Sequence, residues 1–169
     1  SAVDGNEQNG GTVTNCEIAN TTNLGAGLEV ESATGRWTIE NNTITNVAGP
    51  GVVVTTDASG QLTALINNNT ITDCPFPALG FISSDASQLK VQVKNNVMTG
   101  NSVGATFQAI AGQTSTMSFQ ILGNQNDDIY TFSMVDTTAT VNIEQLNELE
   151  TLNTGTVEIS GGSVKLPTE

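Results

Sequence analysis

The fold is decided by one recurring stretch, whose best copy reads Ile66-Asn67-Asn68-Asn69-Thr70-Ile71-Thr72. Related hexads occur at four other places: VTNCEI at 13–18, IENNTI at 39–44, VKNNVM at 93–98 and a degraded copy, ILGNQN, at 121–126. Successive copies begin 26, 27, 27 and 28 residues apart. A fixed period of this length indicates a solenoid, in which each repeat is one supersecondary unit stacked on the next.

Each period contains three short strand-like runs. In the best repeat they lie at 51–56, 61–66 and 69–72, and a longer loop with Pro75-Phe76-Pro77 follows the third. Turn-forming residues at 57–60 separate the first two runs, and Asn67-Asn68 separates the second from the third. The run QLKVQVK at 88–94 alternates strictly between polar and apolar residues. This alternation predicts strands with one buried face.

The paired asparagines mark a bend in the chain. Ile44 follows Ile39 by five residues, an odd number, so a straight strand would not bury both side chains. Asparagine tolerates the left-handed conformation that such a bend requires. Stacked bends place asparagine side chains about 4.8 Å apart, close enough for a hydrogen-bonded ladder. We predict the ladder at Asn42, Asn69, Asn96 and Asn124, with Cys16 at the same position of the first copy.

Three strands per repeat, an asparagine bend after the second and a variable loop after the third resemble the pectate-lyase-like right-handed parallel β-helix superfamily. The resemblance covers about residues 11–164 and matches no single family within the superfamily. It implies an all-β fold, a right-handed parallel β-helix (β-solenoid) of about six coils of roughly 27 residues, with three strands per coil. An immunoglobulin-like or jelly-roll sandwich is the alternative, because it too has many short strands.

We expect one domain, since 169 residues suffice for a single core. The polar residues 1–10 are predicted as a flexible N-terminal tail or cut loop, and residues 11–169 as the β-helix domain. Residues 143–150 form either an irregular last coil or a short helix, and strands are expected at 157–159 and 164–166. No amphipathic helix precedes the first coil, which suggests a fragment of a longer β-helix or a subunit that stacks end to end.

The net charge of the chain argues against some classes of binding partner. Four basic residues against 17 acidic ones give a net charge of −13, which disfavours nucleic acid and anionic lipid surfaces. No apolar stretch reaches the roughly 18 residues that membrane insertion needs. The low charge content and the many Thr, Asn and Gly residues predict a secreted or cell-surface protein.

Catalytic constellations are absent from the sequence. The lack of histidine removes Ser-His-Asp and Cys-His catalysis and the usual zinc sites. Asp127-Asp128 resembles part of the polygalacturonase-type constellation, but the histidine and the Arg-x-Lys pair of that constellation are missing. A lyase needs a metal, a base and a carboxylate-binding cation together. The alternation predicts that Lys90 and Lys94 face outward on the second strand of one coil, and no carboxylate cluster is predicted beside either on the same face. We therefore expect no enzyme activity and no cofactor, apart from weak Ca²⁺ binding at Glu29 and Glu31.

Two surfaces could meet a ligand. The third strands present a two-column array that resembles ice-binding β-solenoids, although threonine is also simply a good strand former. The array comprises Thr43, Thr45, Thr70, Thr72 and Thr99, with Val97 in the sixth place. The loops after the third strands carry Phe76, followed by Phe81 in the next strand, and loops on a rigid scaffold often bind ligands. The alternative for Phe76 is that it folds back over the coil.

These observations predict a non-catalytic structural or adhesive β-solenoid module of a secreted or cell-surface protein, acting as a rod or filament segment. Its expected partners are a glycan, another protein or further copies stacked end to end. The alternative is a carbohydrate-binding or degenerate polysaccharide-active (lyase-like) domain that uses the face near the variable loops.

Overall fold

The computed structural model describes residues 1–101, 106–160 and 164–165. Its strands form three parallel sheets around one core, which confirms the predicted β-helix of about six coils. Sheet A contains β1 Val3–Asp4, β4 Leu28–Val30, β7 Val52–Thr56, β10 Leu79–Ser83, β13 Phe107–Ala111, β16 Ile129–Met134 and β18 Thr156–Ser160. Sheet B contains β2 Asn9–Thr14, β5 Thr34–Glu40, β8 Gln61–Asn67, β11 Gln88–Lys94, β14 Thr116–Leu122, β17 Thr140–Ile143 and β19 Val164–Lys165. Sheet C contains β3 Glu17–Ala19, β6 Thr43–Thr45, β9 Thr70–Thr72, β12 Val97–Thr99 and β15 Gln125–Asn126.

Neighbours within each sheet come from successive coils. In sheet B, for example, Ile66 pairs with Ile39 on one side and with Val93 on the other, so equivalent residues of the repeat stack in register. All pairings among the described strands are parallel; β8 with β11 in sheet B, β9 with β12 in sheet C and β4 with β7 in sheet A are examples. A sandwich joins consecutive strands antiparallel, so the alternative fold is wrong.

The chain turns at three corners in each of the first four coils, and each of these corners uses a residue with positive φ. We name them corner 1, after a sheet A strand; corner 2, after a sheet B strand; and corner 3, after a sheet C strand. The left-handed residues are Glu7, Ser32, Ala58, Asp85 and Gln113 at corner 1, Asn15, Asn41, Asn68, Asn95 and Gly123 at corner 2, and Asn20, Asn46, Asp73 and Gly100 at corner 3. The left-handed bend predicted from the asparagine pairs is therefore confirmed, and the residue directly before each ladder asparagine adopts it.

The core is a stack of inward-facing columns. Ile39, Ile66, Val93 and Ile121 form one such column in sheet B, and all are fully buried. In the later coils the stack becomes aromatic, with ring centroids 5.1 to 5.8 Å apart. Its members are Phe81, Phe107, Phe119, Phe132 and Tyr130. Such tilted and edge-to-face pairs add to the stability that burial alone provides.

The N-terminal residues differ from the predicted tail. Val3–Asp4 pair with β4, and β2 already begins at Asn9. The buried ring of Trp37 lies so close to Gly5 and Gly11 that a Cβ atom at either position would collide with it. These glycines are needed because the indole of the second coil fills the interior of the first. Composition predicted a flexible tail or a cut loop, whereas residues 3–4 and 9–14 are strands of the first coil that pack beside Trp37.

The C-terminal acidic segment forms a short helix, one of the two predicted alternatives. A single 3-10 turn, Leu146–Glu148, leads into α1, Leu149–Leu152, and Leu149 packs into the core. The predicted final strands correspond to β18 and β19, while Leu166 lies outside the described residues. Residues 102–105, in the loop after β12, also lie outside them.

Candidate functional site

The asparagine ladder occupies corner 2, immediately after the left-handed residue. The side-chain oxygen of each rung accepts two hydrogen bonds from the preceding rung, as when Asn69 donates its backbone N–H and its Nδ2 to Asn96 Oδ1, both at 2.9 Å. Asn69 Nδ2 also donates to the Ile39 carbonyl at 2.9 Å. The same pattern joins Asn42 to Asn69, and Asn96 to Asn124. The predicted ladder is confirmed.

The two ends of the ladder differ. The backbone N–H of Cys16 donates to Asn42 Oδ1, but a thiol cannot extend the row of amides. At the other end, Asn124 donates to Asn153 Oδ1, and Asn153 Nδ2 turns back to the carbonyls of Ile121 and Leu149. The sequence reasoning missed Asn153, although an Asn-Thr pair there was a usable signal. Because the rungs are buried and bonded to one another, the ladder holds the coils in register and leaves no amide free for a ligand.

The predicted threonine columns stack in adjacent strands of sheet C. Thr43 pairs with Thr70, and Thr45 pairs with Thr72, whose hydroxyls lie 3.1 Å apart. Thr99 continues the second column, and Val97 the first. Glu17 and Gln125 flank the first column in the coils on either side. The threonine array is therefore present and partly exposed. Ice binding by this array remains a prediction, which a measurement of thermal hysteresis would test.

Corner 3 borders a groove of about 900 Å³. Its lining includes Asn20, Asn46, Asp73 and Gly100, the left-handed residues of successive coils, together with Pro75. Asn46 Nδ2 donates to Asn20 Oδ1 at 2.7 Å, so the stacked amides are already oriented. Sequence reasoning pointed to the loops here but missed these corner residues, whose signal was their position directly after each third strand.

The two predicted aromatic contacts have opposite outcomes. Phe76 is 43% exposed in the loop after β9, so it does not fold back over the coil and its ring is accessible. The prediction for Phe81 as ligand surface is wrong, because this side chain is 1% exposed and lies in the aromatic core. Ile82, its neighbour in β10, faces outward instead. The run Gly80-Phe81-Ile82 is apolar on both faces of the strand, so alternation did not decide which residue points inward.

The acidic residues discussed as catalytic or metal-binding groups are dispersed. Asp127 Oδ2 accepts a hydrogen bond from the backbone N–H of Gly100 at 2.7 Å, a corner contact between coils. Glu29 lies in β4 beside Asp4 of β1, and Glu31 is exposed at the following corner. No group of three or more His, Cys, Asp or Glu side chains that could hold a metal ion occurs within the described part of the chain.

The two cysteines are both free and occupy equivalent corner positions. Cys16 N–H donates to Asn42 Oδ1 at corner 2, and Cys74 N–H donates to Asn101 Oδ1 at corner 3. Cys16 is exposed, whereas Cys74 is buried, and burial raises the pKa of the Cys74 thiol to about 11. Cys74 is therefore a protonated, unreactive thiol at neutral pH.

Comparison with known proteins agrees with this geometry. A family model described as the right-handed β-helix region matches residues 1–105 and, in a second overlapping match, residues 26–166. The chain belongs to this family. Right-handed β-helix proteins include both enzymes and non-enzymes, so membership by itself assigns no activity. No curated protein and no solved structure matches the chain. Among the described residues of this β-helix, no helix is long and apolar enough to cross a membrane.

Proposed function

We propose that this β-helix is a non-catalytic structural or adhesive module of a secreted or cell-surface protein, acting as a rod or filament segment. The observation that carries the proposal is the unbroken asparagine ladder from Asn42 to Asn153, which ties the coils to one another along the axis. Buried, fully paired polar networks make a structure rigid and specify a unique packing. A rigid spacer needs this property, and it needs no cofactor.

The placement of charged groups supports a non-catalytic role. Asp127 lies in the turn after β15 and is engaged in a contact between coils, whereas Arg36, the single arginine, lies in β5 of sheet B. General acid–base chemistry requires an acid and a base that converge on one reacting atom. The few charges and the surface rich in hydroxyl and amide groups support a location outside the cell.

Self-association along the axis fits the way the coils already pair. Each strand of sheet B bonds to the equivalent strand of the next coil in a constant parallel register. A row of backbone donors and acceptors can bond another strand of the same kind where it is left unpaired. We propose end-to-end stacking of copies as the mode of assembly.

Two measurements test this role. Electron microscopy and sedimentation velocity should show rods that lengthen along one axis as the protein concentration rises. In parallel, a panel of neutral and acidic polysaccharides, incubated with and without Ca²⁺, should yield no new reducing ends and no unsaturated products. Cleavage that disappears in an Asp127→Asn, Asp128→Asn double variant would overturn the non-catalytic assignment. Strictly monomeric particles at all concentrations would overturn the filament.

A second candidate function, carbohydrate binding, rests on the groove at corner 3. Its amides and hydroxyls can hydrogen-bond sugars, and Pro75 offers an apolar edge beside them. The test is a glycan array followed by titration of the Asn46→Ala variant. The matched control is Asn41→Ala, which changes another exposed left-handed asparagine at a different corner. Binding weakened at least about fivefold by Asn46→Ala alone would support the groove; equal affinities would exclude it.

A further inference from the structure

The basic residues are gathered in one sheet. The chain has only four of them against 17 acidic residues, yet Arg36 lies in β5, Lys90 and Lys94 lie in β11, and Lys165 lies in β19, all in sheet B. Neither Arg36 nor Lys90 forms a salt bridge with any acidic group among the residues that the structure describes. Two exposed cations left unpaired in so acidic a chain are available to a ligand.

Arg36 and Lys90 belong to one column. Both pair with Thr63, one from each side, and Ser118 follows Lys90 on the next strand. Adjacent strands lie about 4.8 Å apart, so the backbone positions of Arg36 and Lys90 are separated by roughly 10 Å. Along the helix axis the column therefore reads cation, hydroxyl, cation, hydroxyl at a constant spacing.

A groove of about 390 Å³ runs over this column. Besides the four column residues, it is lined by Gln92 and Gln120, whose side chains are bonded to each other at 3.2 Å. Gln120 Nε2 also donates to Glu144 Oε2 at 2.8 Å. The one carboxylate that lines the groove among the described residues therefore accepts a hydrogen bond from a neighbouring amide. The lining thus combines two exposed cations and several hydroxyl and amide groups with the aliphatic Leu65 and the carboxylate of Glu144.

We propose that this outward face of sheet B binds a linear glycan that carries an acidic group on alternate sugar residues. One sugar residue advances an extended glycan by about the spacing of one strand. The acidic sugars would bond to Arg36 and Lys90, and the neutral sugars between them would meet the hydroxyls of Thr63 and Ser118. Charge-assisted bonds to the cations supply affinity, and the hydroxyls can both donate to and accept from sugar hydroxyls.

The same pattern disfavours other polyanions. A polymer with an acid on every sugar would place alternate charges opposite Thr63 and Ser118, where no cation compensates them. Nucleic acid has one charge for about every 1.7 Å, far denser than this column. The remaining acidic surface repels anions, but dissolved salt largely screens that repulsion at separations beyond about 8 Å at physiological ionic strength. Direct contacts in the column therefore decide binding.

Calorimetry with three octasaccharides of equal length tests the proposal. The probes are hyaluronan, in which acidic and neutral sugars alternate; oligogalacturonate, which is acidic at every sugar; and a neutral cello-oligosaccharide. We expect saturable binding of the hyaluronan probe, at least about fivefold weaker binding of oligogalacturonate and none of the neutral probe. Binding that is tighter for oligogalacturonate, or no binding of the alternating probe, would overturn the proposal.

Matched variants locate the site. Lys90→Gln and Arg36→Gln should each weaken hyaluronan binding about tenfold, since each removes one charge-assisted contact. Lys94→Gln removes the same charge from the same sheet but lies in another column, beside Asn67, and should change the affinity less than about twofold. Equal losses in Lys90→Gln and Lys94→Gln would show general attraction and refute the column. The structural role proposed above does not depend on this site, so failure here leaves rod assembly to be judged by its own measurements.

Discussion

Corner 2 and corner 3 are turns of the same coils, yet the residue that follows the left-handed position differs between them in its hydrogen bonding and in its variability. At corner 2 the residue after the bend is a buried asparagine that bonds to its equivalents above and below. At corner 3 the equivalent positions are Thr21, Val47, Cys74 and Asn101, and the chain continues into a loop before it enters sheet A. The uniform corner stabilises the stack, whereas the varied corner borders a groove. Regular hydrogen bonding and an open groove are thus placed at opposite ends of the short sheet C strands.

The largest effect should come from removing a central rung of corner 2. Asn96→Ala deletes the acceptor for two bonds from Asn69 and leaves the carbonyl of Ile66 without its partner. Unpaired buried polar groups are costly, so we expect a loss of about 3–5 kcal/mol in the free energy of unfolding, measured in urea. A loss below about 1 kcal/mol would show that the ladder is not what holds the coils in register.

The reactivities of the two cysteine thiols provide a second comparison of the corners, since Cys16 lies at corner 2 and Cys74 at corner 3. In native protein at about pH 8.5, a thiol reagent should modify exposed Cys16 at least about 100-fold faster than buried Cys74, because the thiolate is the reactive form. The raised pKa of Cys74, about 11, also predicts the direction of a stability change. Below the ordinary thiol pKa there is no effect; as pH rises from there towards about 11 the unfolded chain ionises first and stability falls.

Mass spectrometry after timed labelling would measure both rates, with urea-unfolded protein as the control in which the two thiols should react alike. Comparable labelling of both cysteines in the native protein would contradict the buried position of Cys74. The contribution of Cys74 can be isolated with Cys74→Ala, whose alkaline decline should be smaller than that of the unchanged protein. Burial also raises the pKa of Tyr130, so part of the decline should remain above the ordinary tyrosine pKa.

The ladder can also be lengthened at its open end. Cys16→Asn places an amide where the backbone N–H already donates to Asn42 Oδ1, so the new Nδ2 can donate to the same oxygen. We expect a gain of about 0.5–1 kcal/mol, measured by urea unfolding. Cys16→Ala removes the thiol without adding an amide and is the control. A variant no more stable than Cys16→Ala would show that the first coil cannot accept a rung.

The smallest effect is expected one residue away from the ladder. Asn68 supplies the left-handed conformation at φ 54° and its side chain is exposed. Glycine adopts positive φ freely, so Asn68→Gly should change stability by no more than about 0.5 kcal/mol. Asn68→Ala, which must adopt the same φ with a Cβ atom, should cost about 1 kcal/mol. If glycine were as damaging as alanine, the role of Asn68 would lie in its side chain and not in its backbone.

Most of the fold could be predicted from the sequence of the repeat. An odd spacing between Ile39 and Ile44 required a bend, and the recurrence of asparagine in that bend predicted the ladder from Asn42 to Asn124. Repetition was decisive because an interaction formed once between two coils is formed again between the next two. Where repetition was lost, as at Asn153, the prediction was lost as well.

The candidate sites were less predictable because they depend on which face of a strand is buried. Alternation is silent when both faces are apolar, which is why Phe81 was assigned to the surface and Ile82 was not. The exposure of Phe76 was unpredictable for another reason. It depends on the conformation of one loop, and no periodic sequence pattern constrains a loop. Arg36 and Lys90 lie 54 positions apart, and only the register of three strands makes them neighbours across Thr63.

By itself, the sequence determined the parallel β-helix, its period and its asparagine bends, because these follow from local conformation and from the repetition of identical contacts. Only the tertiary structure decided that residues 1–10 join the first coil beneath Trp37, that Cys74 is buried and Cys16 is not, and that the basic residues share one sheet. Those outcomes depend on side chains from different coils filling one space, and a linear pattern does not encode that competition.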